Sequence, residues 1–586
     1  MPAQIYIDTI DLLTEVVTVE PLNLDGDLPD SYPHLRLKKT GHKETLPLQV
    51  VQMENAFLRV LVSPALGGRI ISIFDKRNER EVIPPLQEIS LAEGGSRGLV
   101  LSQGIEFMAG KGGRANSLGT VDFRIQEAEE PDQPVGVLMH ELVIGQRIAW
   151  HGAVTLDPDL PLITIDLRVQ NRSPLSQPTN NGLQANLGNG WKAFDRAVYS
   201  EERRAGLAIE TLPSDVYLES IGSIWKWHAP TARAGMIGPD RVEELKFRIT
   251  PFSFVDAEEV SHVIAGSAGA LRVGKTKLSI QVSDPVLDGK MFILTGSGQT
   301  LEAPANLYPE AVTEIEFATL PEPPRGFVLR SSDQAVLLEW DESSVSVPAK
   351  HPDPAPGMWP APGESWLESQ LKNGAEDFTL GLQSPGIEAA CHVAQAVAFC
   401  RNKEWDSALE SLDKSLNFNA EDHLVWWLKA AIKRESGNQD DDRPELMNAH
   451  FLAPLEPVLR AEAFLSQPVS EGKEPNPVLK PVADNPDAAL EVACLLIKVG
   501  FEESLARFVD ECLRHAESPM LRYLLAHQLL SKTRMEASAA EHVMLAGRCP
   551  LEPPFPWRAE EWSAIRALAK AFPSDERLAT LMKLDR

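Results

Sequence analysis

The sequence predicts two kinds of structure in one chain, a β-rich part followed by a helical part. Apolar and polar residues alternate over Ile163–Val169 and Leu278–Val282, which is typical of half-buried strands. Turn-forming residues separate many such segments up to about residue 345. This pattern favours an antiparallel β-sandwich over a wound α/β sheet. From about residue 386, small and apolar residues recur every three or four positions, which is the spacing of packed helices.

A proline-dense segment separates the two parts. Proline is frequent over residues 351–363, and it disfavours both helices and central strands. We therefore expect an extended linker over residues 346–385, with Trp359 and Trp366 as anchors on the domain surface. The predicted domains are a β-sandwich over residues 1–345, this linker, and helices over residues 386–586.

The composition limits the partners and the compartment. The 586 residues carry a net charge of -28, which opposes binding to nucleic acid and to anionic membranes. No apolar run reaches the roughly 18 residues of a membrane helix, and the first residues do not resemble a signal peptide. The five cysteines are odd in number and include no Cys-x-x-Cys pair, which fits small buried thiols in a reducing compartment better than disulfides or a zinc site. We expect a cytoplasmic protein with neither a nucleic-acid nor a membrane partner.

The most specific segment runs from Glu54 to Asp75 and has the pattern strand, turn, strand. Residues Leu58–Val62 alternate as a strand does, and Pro64 with the pair Gly67–Gly68 ends it. The segment resembles the opening hairpin of galactose-mutarotase-like β-supersandwich domains. More closely, it is similar to a poorly characterised bacterial family that joins such a sandwich to tetratricopeptide repeats. The resemblance implies a supersandwich over residues 1–345 and a function related to carbohydrate.

The helical part resembles tetratricopeptide repeats. The step from Ala396 to Ala430 equals the step from Val492 to Ala526, and both match the period of that family, which is about 34 residues. The interval from Ala430 to Val492 is short of two full periods, so one unit between them is degenerate. The block Phe555–Trp562 also resembles the bacterial family. The resemblance implies an α-solenoid that either docks a protein partner or braces one side of the sandwich cleft.

The resemblance also indicates where a sugar or oligosaccharide would bind. Residues 103–107, which include Glu106, resemble a Gly-Ile-Glu-Phe motif of the family, and residues 171–178 resemble a second family segment. A carboxylate at a strand end can accept hydrogen bonds from sugar hydroxyls, while Arg69 could orient a ligand or instead hold the hairpin. The predicted ligand-binding residues are Arg69, Glu106, Asn171, Arg172, Trp225 and Trp227, although core packing is the default expectation for the two tryptophans.

Sugar chemistry on such a sandwich needs an acid and a base on opposite sides of a cleft. The candidates are Glu106, His228, which follows the two tryptophans, and Glu302. Glu302, or alternatively Glu310, would replace a late glutamate of the family, where this chain has Phe292. The thirteen histidines show no metal-ligand spacing, so we predict neither a metal nor a cofactor.

Two hypotheses stay open. One is a protein that binds a sugar, either without turnover or as an aldose epimerase or, with less support, a glycoside hydrolase. The other is a non-catalytic scaffold that binds a protein. A Trp- and His-rich stretch of the family is replaced here by residues 108–114, which favours the scaffold, whereas Glu106 favours the sugar protein. Convergence of Glu106, Arg69 and His228 on one open pocket would distinguish them.

Overall fold

The structure is a computed structural model. It describes residues 2–22, 32–94, 97–101, 103–110, 118–173, 177–178, 180–187, 190–194, 197–212, 217–221, 224–228, 236–238, 242–342, 385–437, 443–468, 474–533 and 535–585. The predicted linker lies outside these residues, with Trp359 and Trp366, except for Pro385, where the first helix begins.

Strands are the main elements of the described chain up to Asp341, with short 3-10 helices at Pro64–Leu66 and Phe317–Thr319. In chain order they are β1 (Gln4–Val19), β2 (Leu37–Glu54), β3 (Leu58–Ser63), β4 (Arg69–Asp75), β5 (Arg80–Glu81), β6 (Glu88–Ile89), β7 (Leu91–Glu93), β8 (Leu99–Leu101), β9 (Gly104–Met108), β10 (Asp122–Gln126), β11 (Val135–Val143), β12 (Ile148–Leu156), β13 (Ile163–Asn171), β14 (Gln177–Pro178), β15 (Gly182–Asn186), β16 (Trp191–Phe194), β17 (Ala197–Ser200), β18 (Ala205–Leu212), β19 (Tyr217–Ile221), β20 (Ile224–His228), β21 (Met236–Ile237), β22 (Val242–Ser253), β23 (Val260–Gly266), β24 (Gly269–Gly274), β25 (Lys277–Val282), β26 (Val286–Thr295), β27 (Thr300–Leu307), β28 (Thr313–Glu316), β29 (Pro324–Arg330) and β30 (Val336–Asp341).

Two large sheets form the first sandwich. A ten-stranded sheet has the order β19-β20-β15-β9-β4-β3-β2-β1-β6, with β5 beside β4, and an eight-stranded sheet has the order β10-β11-β12-β13-β22-β18-β17-β16. Alternate residues of each strand fill the space between them. Ile105 and Phe107 of β9, Trp150 of β12 and Ile165 of β13 belong to one buried cluster. The residues between them therefore point to the outer faces of the two sheets.

A second, smaller sandwich follows. The sheets β23-β24-β25-β28 and β27-β26-β29-β30 have four strands each. They enclose a core of their own, which includes Leu271, Ile293 and Phe327. A separate cluster that contains Phe252 and Val263 joins the two sandwiches. The antiparallel β architecture predicted for this part of the chain is confirmed, while the domain boundary at residue 345 stays a prediction.

The rest of the described chain is helical, as predicted. The helices are α1 (Pro385–Arg401), α2 (Trp405–Phe418), α3 (His423–Glu435), α4 (Arg443–Leu452), α5 (Pro457–Leu465), α6 (Lys480–Ala483), α7 (Pro486–Val499), α8 (Glu502–His515), α9 (Pro519–Gln528), α10 (Glu536–Gly547), α11 (Ala559–Ala571) and α12 (Glu576–Met582). The four positions that carry the predicted repeat, Ala396, Ala430, Val492 and Ala526, are all buried.

Local signals set the ends of several helices. The Asp422 carboxylate accepts hydrogen bonds from the backbone at the start of α3, which satisfies donors that have no partner inside the helix. Asn485 does the same for α7, where Pro486 occupies the first turn. Gly500 ends α7 in the left-handed conformation, with φ of 82°, which glycine adopts without steric cost.

The helices pack on the outer face of the eight-stranded sheet. Arg168 of β13 binds Glu421 before α3, and Arg172 after β13 binds Glu456 before α5. Arg147, in the turn between β11 and β12, binds Glu491 of α7. No helix in the described ranges has the length and apolar character needed to cross a bilayer.

Candidate ligand site between the sheet and the helices

Arg69 and Glu106 lie together, on the outer face of the ten-stranded sheet. The Arg69 guanidinium binds the Glu106 carboxylate through Nη2 and donates from Nη1 to the Gln103 carbonyl at 2.6 Å. Gln184 Nε2 donates to the other Glu106 oxygen at 2.7 Å. Arg69 is only 2% exposed. Both carboxylate oxygens are thus occupied by protein donors, so the pair stabilises the contact between β4, β9 and β15.

The other predicted residues of the sandwich lie on two strands, Trp225, Trp227 and His228 on β20 and Glu302 on β27. Trp225 and Trp227 of β20 are buried in the core of the first sandwich, which is the packing expectation given for them above. His228 pairs with Gly182 through its backbone, but its side chain lies outside the described residues. Glu302 belongs to β27 of the second sandwich, where it forms an exposed ion pair with Lys290 at 2.7 Å.

Asn171 and Arg172 follow one another but have different surroundings. Asn171 is fully buried, and its amide donates to the carbonyls of Ile237 and Gly238 at 2.9 and 3.0 Å. It therefore holds one loop against the end of β13. Arg172 reaches the helical part, where Nη1 donates to Glu456 Oε1 at 3.1 Å and Nη2 contacts Glu456 Oε2.

A buried cluster surrounds Arg172 at the interface. We call His140, His151, His423, Glu456 and Arg172 the histidine cluster. His140 of β11 and His151 of β12 are directly opposed in the sheet, and their rings stack with centroids 4.4 Å apart. His423 Nε2 lies 3.2 Å from Glu456 Oε2, and His151 Nε2 lies 3.7 Å from the same atom. Strands and helices therefore contribute jointly to one polar group.

Burial and charge set the ionisation of this cluster. Burial lowers the pKa of His140 to about 4 and places the pKa of His151 well below its ordinary value. Burial alone would raise the pKa of Glu456, but the Arg172 charge and the His423 hydrogen bond hold it well below the usual range. At neutral pH the cluster thus contains a carboxylate, a guanidinium and uncharged rings at His140 and His151.

A second charged network crosses the interface nearby. Glu491 of α7 accepts from Arg147 Nε at 3.1 Å and from Arg558 Nε at 2.9 Å. Arg147 also binds Glu560 at 3.2 Å, and Arg558 binds Glu561 at 2.7 Å. The two arginines therefore share a buried carboxylate, and each has a second acidic partner on α11.

A cavity of about 640 Å³ lies between the eight-stranded sheet and the helices. Its size is in the range of small-molecule sites. The polar lining residues are Gln126, His151, Asp166, Arg168, Glu244, Lys246 and Glu421, and apolar residues such as Leu138, Leu167, Leu455 and Phe451 complete the wall. The Glu244 and Glu421 side chains are 55% and 61% exposed, so this rim is open to solvent.

Ion pairs order the rim of the cavity. Arg168 donates from Nε to Glu244 and from Nη2 to Glu421, each at 2.8 Å. Lys246 lies 3.2 Å from Asp166. Phe451, at the end of α4, is 87% exposed beside these charges. The cavity thus combines hydrogen-bond acceptors, donors and an accessible aromatic ring, none of which the sequence reasoning had placed in a ligand site.

One family model and several solved structures are similar to this chain. Residues 27–189 match the model of a family described as a domain of unknown function (DUF5107). This range includes β2 to β15 of the first sandwich. The match confirms the predicted resemblance of the sandwich to a poorly characterised family.

The solved structures that align with this chain have low sequence identity to it. A TPR-domain containing protein from Parabacteroides distasonis is 14% identical with a TM-score of 0.33, covering 98% of this chain and 96% of that chain. A putative aldose 1-epimerase from Klebsiella pneumoniae is 8% identical with a TM-score of 0.28, covering 43% and 92%. A galactose mutarotase-like protein from Lactobacillus casei is 14% identical with a TM-score of 0.18, covering 48% and 95%.

Proposed function

We propose that the protein binds a saccharide in the cavity between the eight-stranded sheet and the helices. The observation that supports this is the cavity itself, about 640 Å³ in volume with walls from both parts of the chain. The helical part then serves as a brace that closes one side of the ligand site. A sandwich hairpin that resembles mutarotase-like domains agrees with a sugar as the ligand.

The lining chemistry suits a sugar because a pyranose has polar edges and an apolar face. The Glu244 and Asp166 carboxylates accept hydrogen bonds from hydroxyl groups, and the Arg168 guanidinium donates to ring and hydroxyl oxygens. Phe451 offers an exposed ring to the C–H face of the ligand. The net charge of -28 favours a neutral sugar over a sugar phosphate.

The predicted residues Arg69 and Glu106 are kept as a second proposed place for a sugar. Both Glu106 oxygens already accept protein hydrogen bonds, from Arg69 and Gln184. A sugar hydroxyl would have to displace the Gln184 amide, which makes this place less favourable than the cavity. A role of Glu106, His228 or Glu302 in proton transfer stays a proposal.

The experiment is a thermal-shift screen of the full chain against monosaccharides and oligosaccharides, followed by calorimetry of any hit. A ligand well above its dissociation constant raises the melting temperature by linkage. Glu244→Gln should weaken binding by roughly 10-fold, the cost of about one charged hydrogen bond. The matched control Glu314→Gln removes a 38%-exposed strand carboxylate from an ion pair with Lys277 and should leave binding unchanged.

If calorimetry detects a bound sugar, and Glu244→Gln and the control weaken its binding equally, the sugar binds outside this cavity. Silence across the panel would favour the alternative function, a non-catalytic scaffold with a protein partner. Met447 and Phe451, exposed by 72% and 87% on α4, favour that alternative because exposed apolar side chains often mark protein contacts. All five cysteines are free, and we propose a cytoplasmic location on that basis.

A further inference from the structure

His140, His151 and Glu456 place three potential metal ligands together inside the histidine cluster. One ligand atom from each residue lies within 4.8 Å of the others. Two of the residues come from neighbouring strands, and the third stands just before α5. More than half of the chain separates Glu456 from the histidines in sequence, so histidine spacing alone gives no sign of this group.

The hydrogen bonds around the two histidines leave nitrogen atoms available. His140 Nδ1 lies 3.1 Å from the Trp150 carbonyl, which fixes Nδ1 as the donor and leaves the lone pair on Nε2. This is the usual arrangement of a metal-binding histidine, whose second nitrogen donates to a carbonyl or carboxylate. His151 Nε2 is buried and has no hydrogen-bond partner within the described part of the chain. A buried nitrogen of this kind is costly unless something binds it.

Glu456 is held in a fixed orientation. Arg172 binds both of its oxygens, and His423 Nε2 lies 3.2 Å from Oε2. Carboxylates that bind metals are commonly oriented by such outer hydrogen bonds. A tetrahedral ion with bonds of about 2.0–2.1 Å requires ligand atoms roughly 3.3 Å apart. The His151–Glu456 separation of 3.7 Å is near this value, and the ligand atoms of all three residues lie within 4.8 Å of one another.

The charge of the interface also suits a dication. Together with Arg172 and Glu456, the neighbouring network contributes Arg147, Arg558, Asp487, Glu491, Glu560 and Glu561. His140, Arg172, Asp487 and Glu491 all line one small cavity of about 70 Å³, which places the two groups side by side. These eight residues comprise five carboxyl groups and three guanidiniums, and the excess of acidic groups offsets the repulsion of a cation by Arg172.

We infer that His140, His151 and Glu456 bind a divalent transition-metal ion of the zinc class at the interface between the sheet and the helices. Two imidazoles and one carboxylate favour such ions over Mg²⁺ and Ca²⁺, which prefer oxygen ligands. His151 also lines the 640 Å³ cavity, so the metal site would border the proposed ligand site. The metal site does not depend on the saccharide proposal, because no lining residue of the cavity other than His151 is needed for it.

The test uses the full chain after EDTA treatment and removal of the chelator. Titration calorimetry with Zn²⁺ and metal analysis after gel filtration should give one ion per chain, and Mg²⁺ should give no binding. Co²⁺ should produce the visible absorption of a four-coordinate site. These readouts require no activity and remain valid whether or not a sugar binds.

Variants locate the site. His151→Ala leaves the Arg172–Glu456 ion pair in place, and it should weaken Zn²⁺ binding by more than about 100-fold, since even an outer-shell partner is worth 10–100-fold. His140→Ala should do the same. The control His527→Ala removes a histidine from α9, a helix that contributes no residue to the histidine cluster, and should keep one ion per chain. Circular dichroism confirms that each variant is folded.

Three results would overturn the inference. The first is that the folded, chelator-free wild-type chain retains no Zn²⁺ after gel filtration. The second is that both His140→Ala and His151→Ala still bind Zn²⁺ as the wild type does. Alternatively, Mg²⁺ could bind as tightly as Zn²⁺, which would indicate surface carboxylates in place of a site with two imidazoles.

Discussion

Glu491 is the residue whose replacement tests the interface most directly. Its carboxylate accepts from Arg147, in the turn between β11 and β12, and from Arg558, just before α11. Glu491 is 3% exposed. Glu491→Gln keeps the shape of the side chain but removes its charge, so two buried guanidiniums lose their shared counter-ion.

The expected loss of stability is about 3 kcal/mol. Removal of one partner from a buried ion pair costs roughly 3–5 kcal/mol, and the lower end applies because Arg147 keeps Glu560 and Arg558 keeps Glu561. The ionisation of Glu491 gives a similar figure. Burial would raise its pKa, but Arg147 and Arg558 lower it from 4.5 to about 2. At about 1.4 kcal/mol per unit this again corresponds to roughly 3 kcal/mol.

The lowered pKa of Glu491 predicts that the stability of the protein depends on pH. Because the pKa of Glu491 is lower in the folded state, its contribution is fully present above about pH 4.5 and is lost as the pH falls towards 2. Urea unfolding followed by circular dichroism should show Glu491→Gln less stable than the wild type at pH 7. The difference between the two proteins should narrow as the pH falls from 5 to 3, because the contribution of the wild-type carboxylate diminishes over that range.

The control is again Glu314→Gln, whose exposed ion pair should contribute no more than about 1 kcal/mol. A Glu491→Gln protein whose free energy of unfolding lies within about 0.5 kcal/mol of the wild type at pH 7 would refute the expected loss of stability. The buried carboxylate would then contribute no more than one in a surface ion pair. A difference that stays constant between pH 5 and pH 3 would refute the assignment to ionisation.

Two further predictions concern packing and thiol access. Gly206→Ala places a Cβ against the ring of Phe252 and should lower the stability by about 1–3 kcal/mol. The control Gly298→Ala has open space around the new Cβ but a φ of 84°, and it should lower the stability by about 1 kcal/mol. A Gly206→Ala protein as stable as the wild type would contradict the packing. Cys391 is exposed and should react with a thiol reagent at pH 8 in the folded protein, while burial raises the pKa of Cys400 to about 12 and should delay its reaction until unfolding. Equal reaction rates for the two thiols would show that Cys400 is not shielded from solvent.

The periodic elements could be predicted because their signals are local. The alternation that begins at Ile163 corresponds to β13, and the repeat position Ala430 lies in helix α3. Its first turn is fixed by Asp422, a neighbour in sequence. The pattern of strands then helices followed from the same local information. The division of the strands into two sandwiches could not be predicted in this way, because it depends on which distant strands pair.

The candidate site could be predicted only in part, because it is assembled from distant segments. Arg172 was selected for its place in a family-like motif, but its partner Glu456 belongs to the helical part, far along the chain. His140 and His151 did have a local signal. The turn between β11 and β12 sets the register that makes them direct partners, so a hairpin assignment there would have brought the two rings together.

Buried ion pairs join the sheet to the helices. Arg147 and Arg172 belong to the sheet side of the interface, and both are at least nine-tenths buried. Their carboxylate partners, Glu491 and Glu456, come from the helical side. Without the helices these two guanidiniums would lose their carboxylate partners, and without the sheet Glu456 would lose its arginine counter-ion. Each side thus carries charges that the other side pairs, and we expect this pairing to fix the register of the interface at which the cavity and the histidine cluster lie.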